Sequence, residues 1–515
     1  MRTTWRHRAR PAAPLVLALA LLATAGCTGT STSGSSAKPG ASPSTSGVRQ
    51  QVGRVCAKPP AGPEKPPAGA VEIDPGKVGD LAEKTEKSPP HTTFYLRPGT
   101  HRLAPQRYAQ VVPKEGDRYI GAPGAVLDGR RTNQYAFSGD ARHVILRFLT
   151  VQGFVPPQNE GVVNHSSADD WTVEHSTIQR NQGAGLMAGA RQQVRGNCLR
   201  DNGQYGMNAF KDGDSIRDLV VEGNEITGNN TEDWEKRQKG CGCTGGIKFW
   251  AVDRADVRGN WVHDNRGTGL WADTNNNDFR IEDNLIEDND GAALIYEISY
   301  NAVVRNNTIR RNNLVEGRDA AERGDAFPYG SVYISESGGE PRIHARTDKI
   351  DIYRNRLENN WNGITLWESA DRFCNSPANT SSGDCTLLVK DTGRCKRPAI
   401  TSEPLYADCR WKTQRVDVHD NRFVLDKARI DCSSRCDRMA LLANYGTYPD
   451  WSPYKGDKVQ KYITDKQHNR WHDNVYVGPW RFVAQDMGKV LDAGQWQAMP
   501  YEQDAGSTFD VQAGG

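Results

Sequence analysis

The feature that most constrains this chain is a six-residue motif that keeps returning: Asn, any residue, an apolar residue, two more, then Asn. It spans 197–202, 224–229, 260–265, 284–289, 307–312, 355–360 and 469–474, with degenerate copies at 176–181 and 421–426. Starts at 176, 197, 224, 260, 284 and 307 give steps of 21, 27, 36, 24 and 23 residues. Periods of that size announce stacked repeats rather than a layered globular domain. A helical repeat would show apolar residues every 3.6 positions, and this region does not. Each copy instead follows a β-rich run, such as 219–221 or 350–352, and precedes a small residue and another short run. Short strands set between Gly and Asn point to a β-solenoid.

In such a coil the apolar residues at the motif centre, Leu199, Ile226, Val262, Ile286, Ile309 and Leu357, face inward and can be covered only by neighbouring coils. Asn tolerates the left-handed backbone that tight corners demand. Stacked in register, its side chains can also form a hydrogen-bonded ladder. A merely solvated run of Asn would leave the register unexplained. The longest steps place insertions at 234–245, at 315–327 and, with four cysteines, between 355 and 421. Loops inserted at one corner of a solenoid often wall its binding face.

The ends of the chain speak of export. Arg2, Arg6, Arg8 and Arg10 precede an apolar stretch at 15–23, too short for a bilayer span of about 20 residues. Thr24, Ala25, Gly26 and Cys27 follow. This is the layout of a signal peptide over 1–26, and its closing cysteine resembles a bacterial lipoprotein box. The box implies lipidation at Cys27 and an exported protein anchored to the outer face of the cell membrane. Thr24 stands where that family usually has Leu, which leaves plain secretion with cleavage near Ala25 as the alternative. Residues 27–66 are rich in Ser, Thr, Gly and Pro and read as a flexible tether.

Of eleven cysteines, ten remain besides Cys27, enough for five disulfides in an oxidising compartment. The spacings of Cys374 to Cys385 and Cys395 to Cys409 fit no zinc pattern, and Cys241-Gly-Cys243 lacks a second pair. With 65 basic against 63 acidic residues, no cationic footprint for nucleic acid stands out, and nucleic acid is not expected as a partner. A monomer is expected.

Runs at 246–250, 269–277 and 294–301, with an opening at 94–101 and 119–124, resemble secreted actinobacterial members of the pectate-lyase-like superfamily. The resemblance covers about 92–510. It implies an all-β fold, a single-stranded right-handed parallel β-helix with loop insertions. A short helix at 78–87 would cap the first coil, and 495–496 with 503–507 would belong to the closing segment. The expected division is a coil over 67–475, with cap and first coils at 67–150 and a Cys-rich insertion at 370–415, then a closing segment at 476–515. The superfamily holds lyases, hydrolases, epimerases and plain binding proteins, so fold alone does not assign chemistry.

One strand per coil aligns by its small first residue, in rows beginning at Gly206, Gly246, Gly269, Ala293, Ser331 and Gly363. Positions two and four are mostly apolar and should point inward. Positions three and five then face out: Asn208 and Phe210, Lys248 and Trp250, Trp271 and Asp273, Ile295 and Glu297, Tyr333 and Ser335, Thr365 and Trp367. Such a strip of aromatic and polar side chains suits a polysaccharide, the aromatic faces stacking on sugar rings.

Asp273 and Glu297 fall in one column on consecutive coils, the arrangement of an acid/base or nucleophile pair for glycoside hydrolysis. Held close, one would tend to keep its proton. Lys248, Trp250, Trp271, Tyr333, Glu336, Trp367 and Glu368 are the expected substrate-binding residues. β-Elimination would need cations for a uronate carboxylate; Lys248, Tyr333 or Lys211 could serve, but the column holds no Lys or Arg pair. Non-catalytic glycan binding on the same scaffold is the reading from another class. No cofactor is required. The run from Asp273 to Asp278 superficially resembles a calcium loop, but it lacks the sixth-position Gly and has Asn284 in place of the twelfth-position Glu, so an Asn-rich corner is the preferred reading. His263, His419 and His472 lie at corners and read as structural.

Overall fold

The computed structural model describes residues 54–511 apart from 239, 240, 243, 380, 382 and 486. The leader, Cys27 and most of the expected tether lie outside the described residues. Strands two to seven residues long follow one another so that successive coils add one strand to each of two sheets and, from Gly161 onward, one to a third. The first sheet runs from Val71–Ile73 to Arg470–His472, and the second from Gly99–Arg102 to Thr508–Asp510, thirteen strands each. The third runs from Gly161–Val163 to Arg481–Gln485 and is closed by Val490–Leu491. That last strand pairs antiparallel, whereas the pairs along the coil are parallel. The molecule is an all-β parallel β-helix.

The apolar residues expected inside are there. Leu199, Ile226, Val262, Ile286, Ile309 and Leu357 occupy one register position of the second sheet, and each is at most 1% exposed. Both asparagines of the motif form ladders. In one, Asn224 Oδ1 accepts from the Asn197 amide at 3.0 Å, and the same bond repeats from Asn224 to Asn260, Asn284 and Asn307. It continues through Asn355 and Asn421. The other ladder climbs from Asn181 through Asn202, Asn229, Asn265, Asn289 and Asn312 to Asn360.

The corner works differently from the expectation. The left-handed residue is the one before each Asn: Gly196, Gly223, Gly259, Asp283, Asn306 and Arg354 before the first ladder, Asp201, Asp264 and Asp288 before the second. The turn is made one position early. The Asn can then aim its amide inward, where it donates to a carbonyl of the preceding coil, as Asn260 does to Val221 at 2.9 Å.

A helix at Asp80–Lys87 stands where 78–87 was expected, with Leu81 in the core. The described residues contain the disulfides Cys56–Cys198, Cys374–Cys385, Cys395–Cys409 and Cys432–Cys436, and Cys241 is disulfide-bonded as well. Cys374, Cys385 and Cys395 come close enough to hold a metal, but their sulfurs are spent in these bonds.

Residues 56–63 lie against the coil. Cys56 is bonded to Cys198, its amide donates to Glu225 at 2.8 Å, and Tyr95 donates to the Pro63 carbonyl at 2.9 Å. The expected closing segment also extends the coil, because Thr508–Asp510 pairs with Val475–Val477. Trp496, from the helix Ala493–Gln497, is fully buried at that end. No helix among the described residues is long and apolar enough to cross a membrane.

Candidate functional site

The third sheet sets the aligned rows in the expected register. Asn208 pairs with Lys248, Lys248 with Trp271, Trp271 with Ile295, Ile295 with Tyr333, and Tyr333 with Thr365. The alternate residues Met207, Ile247, Leu270, Leu294, Val332 and Ile364 are at most 1% exposed. Side-chain alternation along each strand therefore sends the first set outward. One residue beyond the strand Leu270–Ala272 stands Asp273, and at the end of Leu294–Glu297 stands Glu297.

These residues form one connected network. Lys248 Nζ lies 2.9 Å from Asp273 Oδ2 and 4.3 Å from the centre of the Trp271 ring. Trp271 Nε1 donates to Glu297 at 3.2 Å. The other Glu297 oxygen is 2.7 Å from Arg372, whose same nitrogen lies 3.5 Å from Glu336. Burial alone would lower the Lys248 ammonium pKa, but Asp273, Tyr205 and Glu297 reverse that and hold it above its ordinary value. Arg372 is likewise raised, with Glu336 and Glu297 overcoming the cost of burial. Burial holds the Tyr333 phenol well above its usual range, so it is protonated at neutral pH. Burial also pushes the Glu336 carboxyl up to about 7, with Arg372 opposing.

Arg372 is the residue that strand alignment missed. It comes from the Cys-rich insertion, outside the column. The length of the insertion marked it as a wall, but nothing in its sequence said which side chain would turn inward. With it, Asp273 faces Lys248, and Glu297 faces Arg372, which it shares with Glu336.

Two expected binding residues are not on the surface. Glu336 is 1% exposed; Ser335 Oγ donates to it, and the Ser369 amide does so at 3.2 Å. Glu368 is fully buried, 2.9 Å from Arg410, and accepts from Gln467 at 2.6 Å and the Thr413 amide at 2.9 Å. A residue after the outward position turns back into the wall, where a carboxylate survives only with such partners. Glu368 fastens the insertion to the coil. Trp367 and Trp250 are half-buried, and Trp367 packs edge-on against Phe327 of a neighbouring insertion, ring centres 5.1 Å apart.

Lys211 pairs with Asp169 at 2.8 Å, outside the network. In the Asn-rich run, Asp278 is held by Arg346 at 3.0 Å and Asp273 by Lys248, so both carboxylates have protein partners. Each corner imidazole lies between two carboxylates: His263 between Glu225 and Asp264, His419 between Asp351 and Asp420, His472 between Asp417 and Asp473. Lys349, 3.2 Å from Asp351 and 3.1 Å from Asp417, already supplies a cation to the Asp351, Asp417 and His419 group that could otherwise hold a metal. An open cavity of about 520 Å³, lined by Arg107, Arg131 and Gln182 among others, lies among the early coils and includes no member of the network.

The family model "Right handed beta helix region" matches residues 161–347, the stretch that carries Lys248, Asp273, Glu297 and Tyr333. The coil is right-handed. No curated protein matches the chain in sequence. Among solved structures, the A-module of mannuronan C-5 epimerase AlgE4 from Azotobacter vinelandii is 15% identical, over 69% of this chain and 92% of its own, with a TM-score of 0.38. The periplasmic alginate epimerase AlgG is 12% identical over 73% and 78%, with a TM-score of 0.35. Pectate lyase Pel9A is 10% identical over 56% and 72%, with a TM-score of 0.30. Likeness at that level says nothing of chemistry in this right-handed coil.

Proposed function

We propose that the protein is an exported carbohydrate-active enzyme that hydrolyses a polysaccharide on the outer face of its third sheet. The observation that carries this reading is the Lys248–Asp273 and Glu297–Arg372 network set beside Trp271 and Tyr333 on consecutive coils. Four charged groups sharing one sparsely exposed patch are costly to assemble, and such arrangements concentrate at functional sites. Asp273 and Glu297 act as the acid/base pair. Lys248, Trp271 and Tyr333 hold the sugar, with Trp250 and Trp367 at the margins. Cys27 anchors the protein by lipid to the outer face of the cell membrane.

Charge balance supports hydrolysis ahead of β-elimination. Lys248 and Arg372 are balanced by Asp273 and Glu297, so these four leave no surplus cation for a uronate carboxylate. Arg372 does supply the second cation that elimination requires, which keeps that chemistry as the second reading.

The test is to incubate the protein with carboxymethylcellulose, xylan, arabinogalactan, polygalacturonate and alginate. New reducing ends and the ultraviolet absorbance of unsaturated products are followed together. Reducing ends without absorbance are expected; both together would give the second reading, and neither, alongside measurable binding, would leave a glycan-binding protein.

A further inference from the structure

Followed from one end of the coil to the other, the outward column of the third sheet is open over only part of its length. Its members, in register, are Met187, Asn208, Lys248, Trp271, Ile295, Tyr333, Thr365, Ala440 and Val483. Met187 and Asn208 are each 4% exposed, and Thr365, Ala440 and Val483 are 0%, 0% and 3% exposed. The four in between are partly exposed.

Each margin has a visible cover. The Asn208 amide donates at 2.9 Å to the carbonyl of Asn159, whose own amide is tied to Gln204 at 2.6 Å. At the other margin Thr365 Oγ1 donates to the Pro328 carbonyl. There the Phe327 ring stands edge-on to both Tyr333 and Trp367, ring centres 6.0 and 5.1 Å away. That loop is pinned from the far side as well, since Arg435 donates to the Asp325 carbonyl at 2.9 Å.

Resting on the proposed function, we infer that the site is closed at both ends along the coil and takes a chain terminus or a short side branch, not the interior of a long polysaccharide. Four partly exposed rungs, with the Gly242 carbonyl accepting from Lys248 beside them, make three steps of about 4.8 Å, or about 14 Å in all, the span of a short oligosaccharide. A continuing chain would have to pass through Asn208 and its cover, or through Thr365, Pro328 and Phe327. Neither position offers surface to bind it. Asp273 and Glu297 sit on the two middle rungs, so a terminus entering this window brings its outermost linkages to them.

The experiment uses whichever polysaccharide of the panel is turned over. Viscosity is followed against new reducing ends, and products are sized from the first minutes. Short products from the outset are expected, with viscosity falling slowly relative to reducing ends. Early long fragments with a sharp loss of viscosity would overturn the inference and leave the proposed function standing. Phe327→Ala removes the ring at one margin and should abolish the size limit on products.

A binding measurement covers the case of slow turnover. The affinity of the Glu297→Gln protein for an oligosaccharide length series should climb and then stay flat once the window is filled. Affinity that keeps rising with length would contradict a closed site. Neither turnover nor binding with any of the five polysaccharides would overturn the proposed function and this inference with it.

Discussion

The corners of the coil and the outer face of its third sheet are built from the same repeats, yet they differ in what they hold. At the laddered corners successive coils from Asn197 to Asn421 repeat the same side chain in the same bond, Asn over Asn, buried and satisfied. On the face no two open rungs carry the same residue: Lys248, Trp271, Ile295, Tyr333. Uniformity marks where the coil secures itself against unravelling. Variety marks where it meets something else. Stability and chemistry are therefore expected to be separable by substitution, and four outcomes test that separation.

The largest effect falls on the face. Glu297→Gln and Asp273→Asn should each lower turnover by on the order of 10²–10⁴-fold, the usual worth of a general acid or base. Each leaves a cation without its counter-charge, so turnover is measured well below the melting point, where both variants should still be folded. Turnover within a few-fold of wild type in both would remove the pair from the mechanism.

Next comes a corner. Asn260→Ala takes away the acceptor for the Asn224 amide groups and the donor to Val221. With a loss of about 1–3 kcal/mol for each buried group left unpaired, chemical denaturation should show a clear destabilisation. The protein still folded should turn over normally. Reduced turnover without lost stability would break the comparison.

Smaller, and dependent on pH, is Glu336. Its folded pKa of about 7 stands above the ordinary carboxyl value of 4.5. The protonated group's contribution is thus fully present below about 4.5 and is lost as pH rises through about 7. Melting points measured across that interval should fall in the wild type relative to Glu336→Gln, which stays neutral. Parallel curves would mean that Glu336 is ionised throughout.

Smallest is Trp250→Ala at the margin of the window, where the residue is half-buried with no ring partner found among the described residues. It should raise KM modestly and leave kcat alone. A large fall in kcat would enlarge the site beyond Asp273 and Glu297.

Much of this was legible in the sequence, and the limits have physical causes. The motif gave the coil, its inward residues and the ladder, because a solenoid fixes each side chain by counting from a corner. The same counting placed Lys248, Trp271, Asp273, Glu297 and Tyr333 on one face. It failed one residue further on. The backbone at Glu336 is left-handed, with φ of 44°, and a strand rule cannot foresee that its side chain turns inward. It failed again for Arg372 and for the covers at Asn159 and Phe327, which come from loops whose paths no period governs. The left-handed corner was assigned to Asn for its general tolerance, whereas Gly, Asp, Asn and Arg before it take that conformation.

The most direct test is a crystal structure of the Glu297→Gln protein soaked with oligosaccharides of the polysaccharide it acts on. Sugar rings against Trp271, between Lys248 and Tyr333, are the predicted result. Sugar bound elsewhere, in the cavity lined by Arg107 and Arg131 or along the first or second sheet, with the Lys248–Tyr333 window empty, would contradict the account.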